Sequence, residues 1–203
     1  CKEAPQILMF SQITEKIVGN MVKQNLIQQE NKSIYQYGIN QLFNMTLNIV
    51  TFLIVGMLYH MILQTIIFTA AYIPLRIYAG GFHASTPFKC WIVSGLMLVA
   101  VLSVMKYLRF GENMYDVGAL AASLIILILS PVEDKNKPLD EKEELVYKVR
   151  CIIVFFIEAV VVLIFKFFQF EQFAICMEMV WISLSCMLLT GKAKNLVKER
   201  KCR

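Results

Sequence analysis

The chain has 203 residues, of which 58% are hydrophobic and 17% charged, with a formal net charge of +5. Soluble globular domains are about 45–50% apolar and about one quarter charged, so this composition excludes an ordinary water-soluble domain and calls for the bilayer as a second solvent. Hydrocarbon offers no water to an open backbone, and apolar runs of roughly 18 residues or more cross it as helices.

In chain order, residues 7–29 come first and are too polar for a span. Ile13, Ile17, Met21 and Ile27, with Val18, Val22 and Leu26 beside them, recur at three- and four-residue spacing, while Lys16, Lys23, Gln24 and Gln28 fill the other face. This pattern predicts an amphipathic helix lying in the membrane interface; an ordinary packing helix is the alternative. No cleavable signal peptide is expected at the start.

Six apolar segments follow, at residues 39–59, 61–78, 88–107, 115–132, 151–168 and 173–190. The first two are separated by little more than His60 and predict a tight helical hairpin, with Asn44, Asn48 and Gln64 expected to tie its arms together. Residues 133–150 form the longest polar connection, expected as a loop with a short charged helical stretch. The predicted architecture is all-α and polytopic. A 1–38 amphipathic segment precedes a 39–190 six-helix membrane domain, and a basic tail occupies 191–203.

Lys and Arg set the orientation. With six spans, only Lys106, Arg109 and Lys166 fall on one side, and the other seventeen of the twenty share the opposite side. Cytoplasmic loops carry the excess of these residues, so both termini and the 76–90 and 133–150 loops are expected in the cytosol of a multi-pass cell-membrane protein.

The six cysteines form no CxxC pair and no disulfide ladder. Cys90 stands apart because of the loop that precedes it. Residues 76–90 run from Arg76 through Gly80-Gly81, His83 and Thr86-Pro87 to Lys89 and Cys90. Gly80-Gly81 allows positive φ and ends the second span. Thr86-Pro87 is a helix start, a capping residue followed by proline at the first helical position. Cys90 then falls in the first turn of the third span, where the partial positive charge of a helix start favours an anion.

On one straight helix His83 and Cys90 would be about 10 Å apart. The Gly-Gly and Thr-Pro breaks let the loop bring His83 back over the helix start, within the roughly 3 Å that acid–base partnership with a thiol needs. The plainer alternative is a capped turn with an incidental thiol. Arg76 reads equally as a snorkelling cation, a clamp for a substrate carboxylate or a brace for the loop.

Arg76, Gly81, His83 and Cys90, just before a transmembrane helix, resemble the signature of the accessory gene regulator protein B family. The likeness extends to the amphipathic start, the six spans, and Ser130-Pro131-Val132, Asn136 and Pro138 after the fourth span. It implies a cysteine endopeptidase of quorum sensing that trims a precursor peptide and cyclises it to a thiolactone or lactone. Cys90 would be the nucleophile and His83 its acid–base partner, with Arg76, Gly81 and Lys89 in support. The implied partner is a precursor peptide with an amphipathic N-terminus and an acidic C-terminal tail, which the basic cytosolic face would attract. That face also suits anionic lipids, whereas nucleic acid is a poor match. A homodimer is expected, a second copy filling the apolar groove that six short helices leave.

No cofactor is implied, and without HExxH or paired histidines no metal site is expected. Glu158 and Glu178 lie inside spans, where carboxylates are costly and suggest function. One could orient His83, or the two could line the pathway of a non-enzymatic transporter or peptide exporter; a bond to a neighbouring helix is the simpler role.

Overall fold

The computed structural model describes residues 5–24, 26–81, 86–108, 110–132 and 140–202. It is helical: α1 (Pro5–Lys23), a 3-10 turn (Gln29–Asn31), α2 (Lys32–Tyr59), α3 (Ile62–Ala79), α4 (Pro87–Tyr107), α5 (Glu112–Leu129), α6 (Glu141–Phe167) and α7 (Glu171–Cys202). The one extended contact among the described residues is an isolated bridge between Gly80 and Val132.

Four helices are long and apolar enough to cross a membrane: Gln29–Tyr59, Ile62–Ala79, Phe88–Tyr107 and Glu171–Leu196. The other two expected spans are less emphatic for separate reasons. Asn113–Leu129 is apolar but shorter, and α6 carries Arg150, Glu158 and Lys166 through its apolar part.

The chain forms two compact units. The first contains residues 1–52 and 84–96, and the second residues 53–83 and 97–203. In the first, α1 ends at Lys23, short of the expected 29, and Gln28 has left helical geometry with φ −74° and ψ 146°. Its buried edge is Thr14 and Val18, while Ile13 and Ile17 are exposed, so the interfacial stripe and the packed stripe are adjacent rather than one. The Thr14 hydroxyl donates to Asn40 Oδ1 at 2.7 Å, and the Trp91 indole N–H donates to Thr51 Oγ1 at 2.9 Å.

In the second unit α7 packs against α3, α5 and α6. Its middle is buried on every side, from Cys176 to Trp181, and Leu184 and Leu188 continue the buried face, as befits a stretch that is apolar nearly all round. Directions can be read from the contacts. Gln64 near the start of α3 meets Gln172 near the start of α7, and the Cys176 thiol donates to the Gln64 carbonyl at 3.1 Å. Gly81, just past the end of α3, faces Met187 and Leu188, so α3 and α7 run parallel. Gly118 of α5 faces Ile182, and Asp116 shares Lys166 with Glu178, so α5 runs the same way. Between them α6 runs in the opposite sense, with Glu158 bonded to Trp181 and Lys166 to Glu178. The ends of α2 and α4 lie side by side, joined by the Tyr59 and Ser103 hydroxyls at 2.8 Å and by the Lys106 ammonium on the Tyr59 carbonyl at 3.0 Å. Within this unit α3, α5 and α7 thus share a direction and α6 runs against them.

The hairpin between α2 and α3 turns on His60, at φ 55°. Asn44, Asn48 and Gln64 do not tie its arms: the Asn48 amide donates to the Asn44 carbonyl within α2, and Gln64 turns to α7. Gly56 packs on the buried Thr65, whose Oγ1 lies 2.5 Å from where a Cβ on residue 56 would stand, the close backbone approach that small residues permit between membrane helices. The charged helical stretch expected before the fifth span is the first part of α6 itself, where the Asp140 N–H donates to Glu143 Oε2 at 3.4 Å. The basic tail likewise continues α7.

Candidate active site

Gly80 and Gly81 end α3 with φ of 69° and 114°, conformations that L side chains rarely adopt. The Gly80 N–H still donates to the Arg76 carbonyl at 3.1 Å, and the Arg76 guanidinium reaches over the turn to donate to the Gly80 carbonyl. The turn is then stitched to the segment that follows α5. The Val132 N–H donates to the Ala79 carbonyl at 2.9 Å, and the Gly81 N–H donates to the Val132 carbonyl at 3.1 Å. A Cβ on Gly80 would strike that carbonyl; one on Gly81 would strike the Arg76 guanidinium and come within 3.2 Å of the Met187 carbonyl. Both positions therefore need glycine twice over, for φ and for space.

Around this node the packing is aromatic and cationic. Tyr78 meets Tyr147 edge to face at 6.0 Å between ring centroids, and the Arg150 guanidinium lies 5.8 Å above the Tyr78 ring. Val132 follows a cis Ser130-Pro131 peptide. Ser130 is buried, and its hydroxyl has no partner among the described residues.

In the first unit α4 begins at Pro87, directly after Thr86. Thr86 Oγ1 accepts from the Lys89 N–H at 3.4 Å, and its carbonyl accepts from the Cys90 N–H at 3.1 Å. Cys90 is half-buried at the close of this first turn and Lys89 is exposed. Phe88 and Trp91 pack with ring centroids 5.6 Å apart, and Trp91 is held by Thr51, so the helix start carrying the thiol is anchored to α2. His83, Asn136 and Pro138 lie outside the described residues.

Glu158 and Glu178 are both buried, and each is committed to a helix–helix contact. Glu158 Oε2 accepts from the Trp181 indole N–H at 2.9 Å. Glu178 pairs with the Lys166 ammonium at 2.7 Å, and Lys166 also pairs with Asp116. The ion network joins the end of α6 to the early turns of α5 and α7, at the end of the bundle opposite the glycine pair. Sequence reasoning missed both this network and the Val132 pairing. The first had a usable signal, since Asp116, Lys166 and Glu178 all fall near the same ends of their spans. The second is a backbone contact with no side-chain signature.

The family model described as Accessory gene regulator B matches residues 13–190. The chain belongs to that family. Among its relatives, a putative AgrB-like protein of Clostridium perfringens (strain SM101) is 24% identical over 139 residues, which cover 65% of this chain and 63% of that protein. The putative AgrB-like protein 2 of C. perfringens (strain 13) is 23% identical over 67% of each chain. The accessory gene regulator protein B of Staphylococcus carnosus is 26% identical, over 67% of this chain and 69% of the relative. The chain thus spans about two thirds of these family members, and slightly less of the first. No solved structure matches it.

Proposed function

We propose that this chain is a membrane cysteine endopeptidase of quorum sensing, with Cys90 as nucleophile and His83 as its proton partner. The observation that carries the reading is the position of Cys90, in the first turn of an anchored helix that starts at Thr86-Pro87, in a chain of the accessory gene regulator B family. His83 takes the thiol proton as sulfur attacks a peptide carbonyl in the C-terminal part of a precursor. The C–N bond breaks, His83 returns the proton to the departing amine, and the precursor's N-terminal part stays on Cys90 as a thioester. A thiol or hydroxyl within that part then attacks the thioester, closing a thiolactone or lactone ring and restoring the Cys90 thiol. Exchange between two thioesters is nearly balanced, so the intermediate must be kept from water, which a site at the membrane boundary favours.

The alternating helix directions support six crossings with both termini on one side. The glycine pair, the start of α6 and the end of α7 share that side. It carries Lys142, Lys148, Arg150, Lys192 and Lys194, so it is the cytosolic one under the positive-inside rule. This basic surface would receive the acidic tail of the precursor and anionic lipid headgroups, while α1 receives the precursor's amphipathic N-terminus. The active form in this reading is a homodimer. The bonds of Glu158 to Trp181 and of Glu178 to Lys166 favour helix-joining roles for the two carboxylates over the non-enzymatic transporter reading.

Co-expression with a candidate precursor from a neighbouring gene, read by mass spectrometry, tests the assignment. Wild type should yield the trimmed, cyclised product. Cys90→Ala and His83→Ala, inserted to wild-type levels, should lower it at least 100-fold. Processing that survives loss of the Cys90 thiol would end the peptidase reading.

A further inference from the structure

Gly80 and Gly81, where the chain leaves α3, are held by a residue some fifty positions later in the chain. Gly80 and Gly81 are not held by α3 alone. Their conformation is set between Val132, which gives its N–H to Ala79 and takes the Gly81 N–H on its carbonyl, and Arg76, which donates to the Gly80 carbonyl. Gly81 and Val132 are buried and Gly80 is half-buried, so water has little access to these bonds, and an orphaned backbone group there would be costly. The glycines have no room for a Cβ on the side facing Val132 and Met187. A turn over-determined in this way can hold the chain in a conformation it would not adopt alone.

We infer that Val132 is a positioning residue for the peptidase reaction: through its backbone it sets the exit of Gly81, and with it the point from which the chain departs toward His83. The inference rests on the peptidase reading above. It assigns to the end of α5 a role in catalysis that no chemistry-bearing side chain there would suggest. The side chain of residue 132 belongs to the core, but the pairing itself is made by its N–H and carbonyl. Val132→Ala keeps both hydrogen bonds, whereas Val132→Pro deletes the donor to Ala79. Gly80→Ala attacks the same pairing from the other strand.

The full-length protein in lipid nanodiscs is measured in two ways: by hydrogen exchange of the segment containing Gly81, and by kcat and KM on the co-expressed precursor used above. Val132→Ala, which keeps both hydrogen bonds, should keep exchange at Gly81 within twofold of wild type. Val132→Pro and Gly80→Ala should speed exchange at Gly81 at least tenfold and lower kcat at least tenfold, with KM within twofold and with slow exchange retained in α7. Gly80→Ala decides the matter if Val132→Pro fails to insert. Faster exchange with kcat unchanged would overturn the positioning role and leave the peptidase standing. Unchanged exchange in both variants would overturn the pairing itself. A wild-type protein that leaves the precursor intact would remove the peptidase reading, and the positioning role with it.

Discussion

The two ends of the α3/α5/α6/α7 bundle are fastened in opposite ways. At the Gly80–Gly81 end, α3 and the exit of α5 are joined through main-chain hydrogen bonds and glycine contacts. At the other end, on the order of 20 Å away along α5, the same bundle is joined by side-chain charge, with Lys166 between Asp116 and Glu178. The first kind of joint fixes a backbone path and is nearly blind to side-chain chemistry. The second fixes helix against helix and depends on each charge having its partner, since a buried ion left alone costs far more than the pair contributes. A protein that must hold a loop in one conformation at one end and merely keep its helices together at the other would be built this way. The lysines follow the same division: Lys106, like Lys166, is engaged locally, by the Tyr59 carbonyl and the Tyr59 and Tyr107 rings.

Breaking the ionic end should have the largest effect on stability. Lys166→Met strands the buried Glu178 beside Asp116. Removing one partner of a buried pair costs 3–5 kcal/mol, and with the Lys166 side chain about one third exposed the loss should be near the bottom of that range, about 3 kcal/mol. Unfolding in mixed micelles with increasing denaturing detergent measures it. Adding Glu178→Gln should recover much of the loss, because the stranded charge is gone. Processing per folded molecule should stay within twofold in both variants. A tenfold fall would show that the two ends are coupled.

A smaller effect is expected midway along the bundle. Trp181→Phe removes the indole N–H from Glu158 Oε2, and Glu158 Oε1 already has no partner among the described residues. A buried acceptor without a donor costs about 1–3 kcal/mol, so a loss of about 2 kcal/mol is expected in the same assay. Trp181→Phe combined with Glu158→Leu should be more stable than Trp181→Phe alone. If Trp181→Phe costs nothing, Glu158 is satisfied by other means and the midpoint belongs to neither joint.

How much of this was legible in the sequence depends on what carries each contact. Periodicity and apolar length located every helix, because both are side-chain patterns. The end of α3 was legible for the same reason: Gly80-Gly81 and Thr86-Pro87 are residue types with fixed conformational meaning. Leu26 and Ile27 continue the apolar spacing of the first helix to residue 29, yet the helix ends at Lys23 and Leu26 is largely exposed. Polar residues in spans favour interhelical bonds, which points the amides at 44, 48 and 64 to the α2–α3 hairpin, whereas Asn48 bonds within α2 and Gln64 bonds to α7. Val132 was visible only as part of a resemblance. A valine that acts through its N–H and carbonyl looks, in sequence, like any other apolar residue.

Arg76 gives the finest test of the contrast between the two ends. Its guanidinium donates to the Gly80 carbonyl and occupies the space beside Gly81, so it is a side chain placed within a backbone-held joint. Arg76→Met keeps most of the stem and its packing but deletes the donor. If the joint is held by backbone, the Val132 bonds remain and the loss should be about 1 kcal/mol, the smallest of the three. Exchange at Gly81 should rise only two- to threefold. Processing should fall more than that stability loss implies if Arg76 also meets the precursor, and in proportion to it if Arg76 only braces the turn. A loss as large as that of Lys166→Met would mean that the glycine end, too, is held by charge, and the contrast between the two ends would be lost.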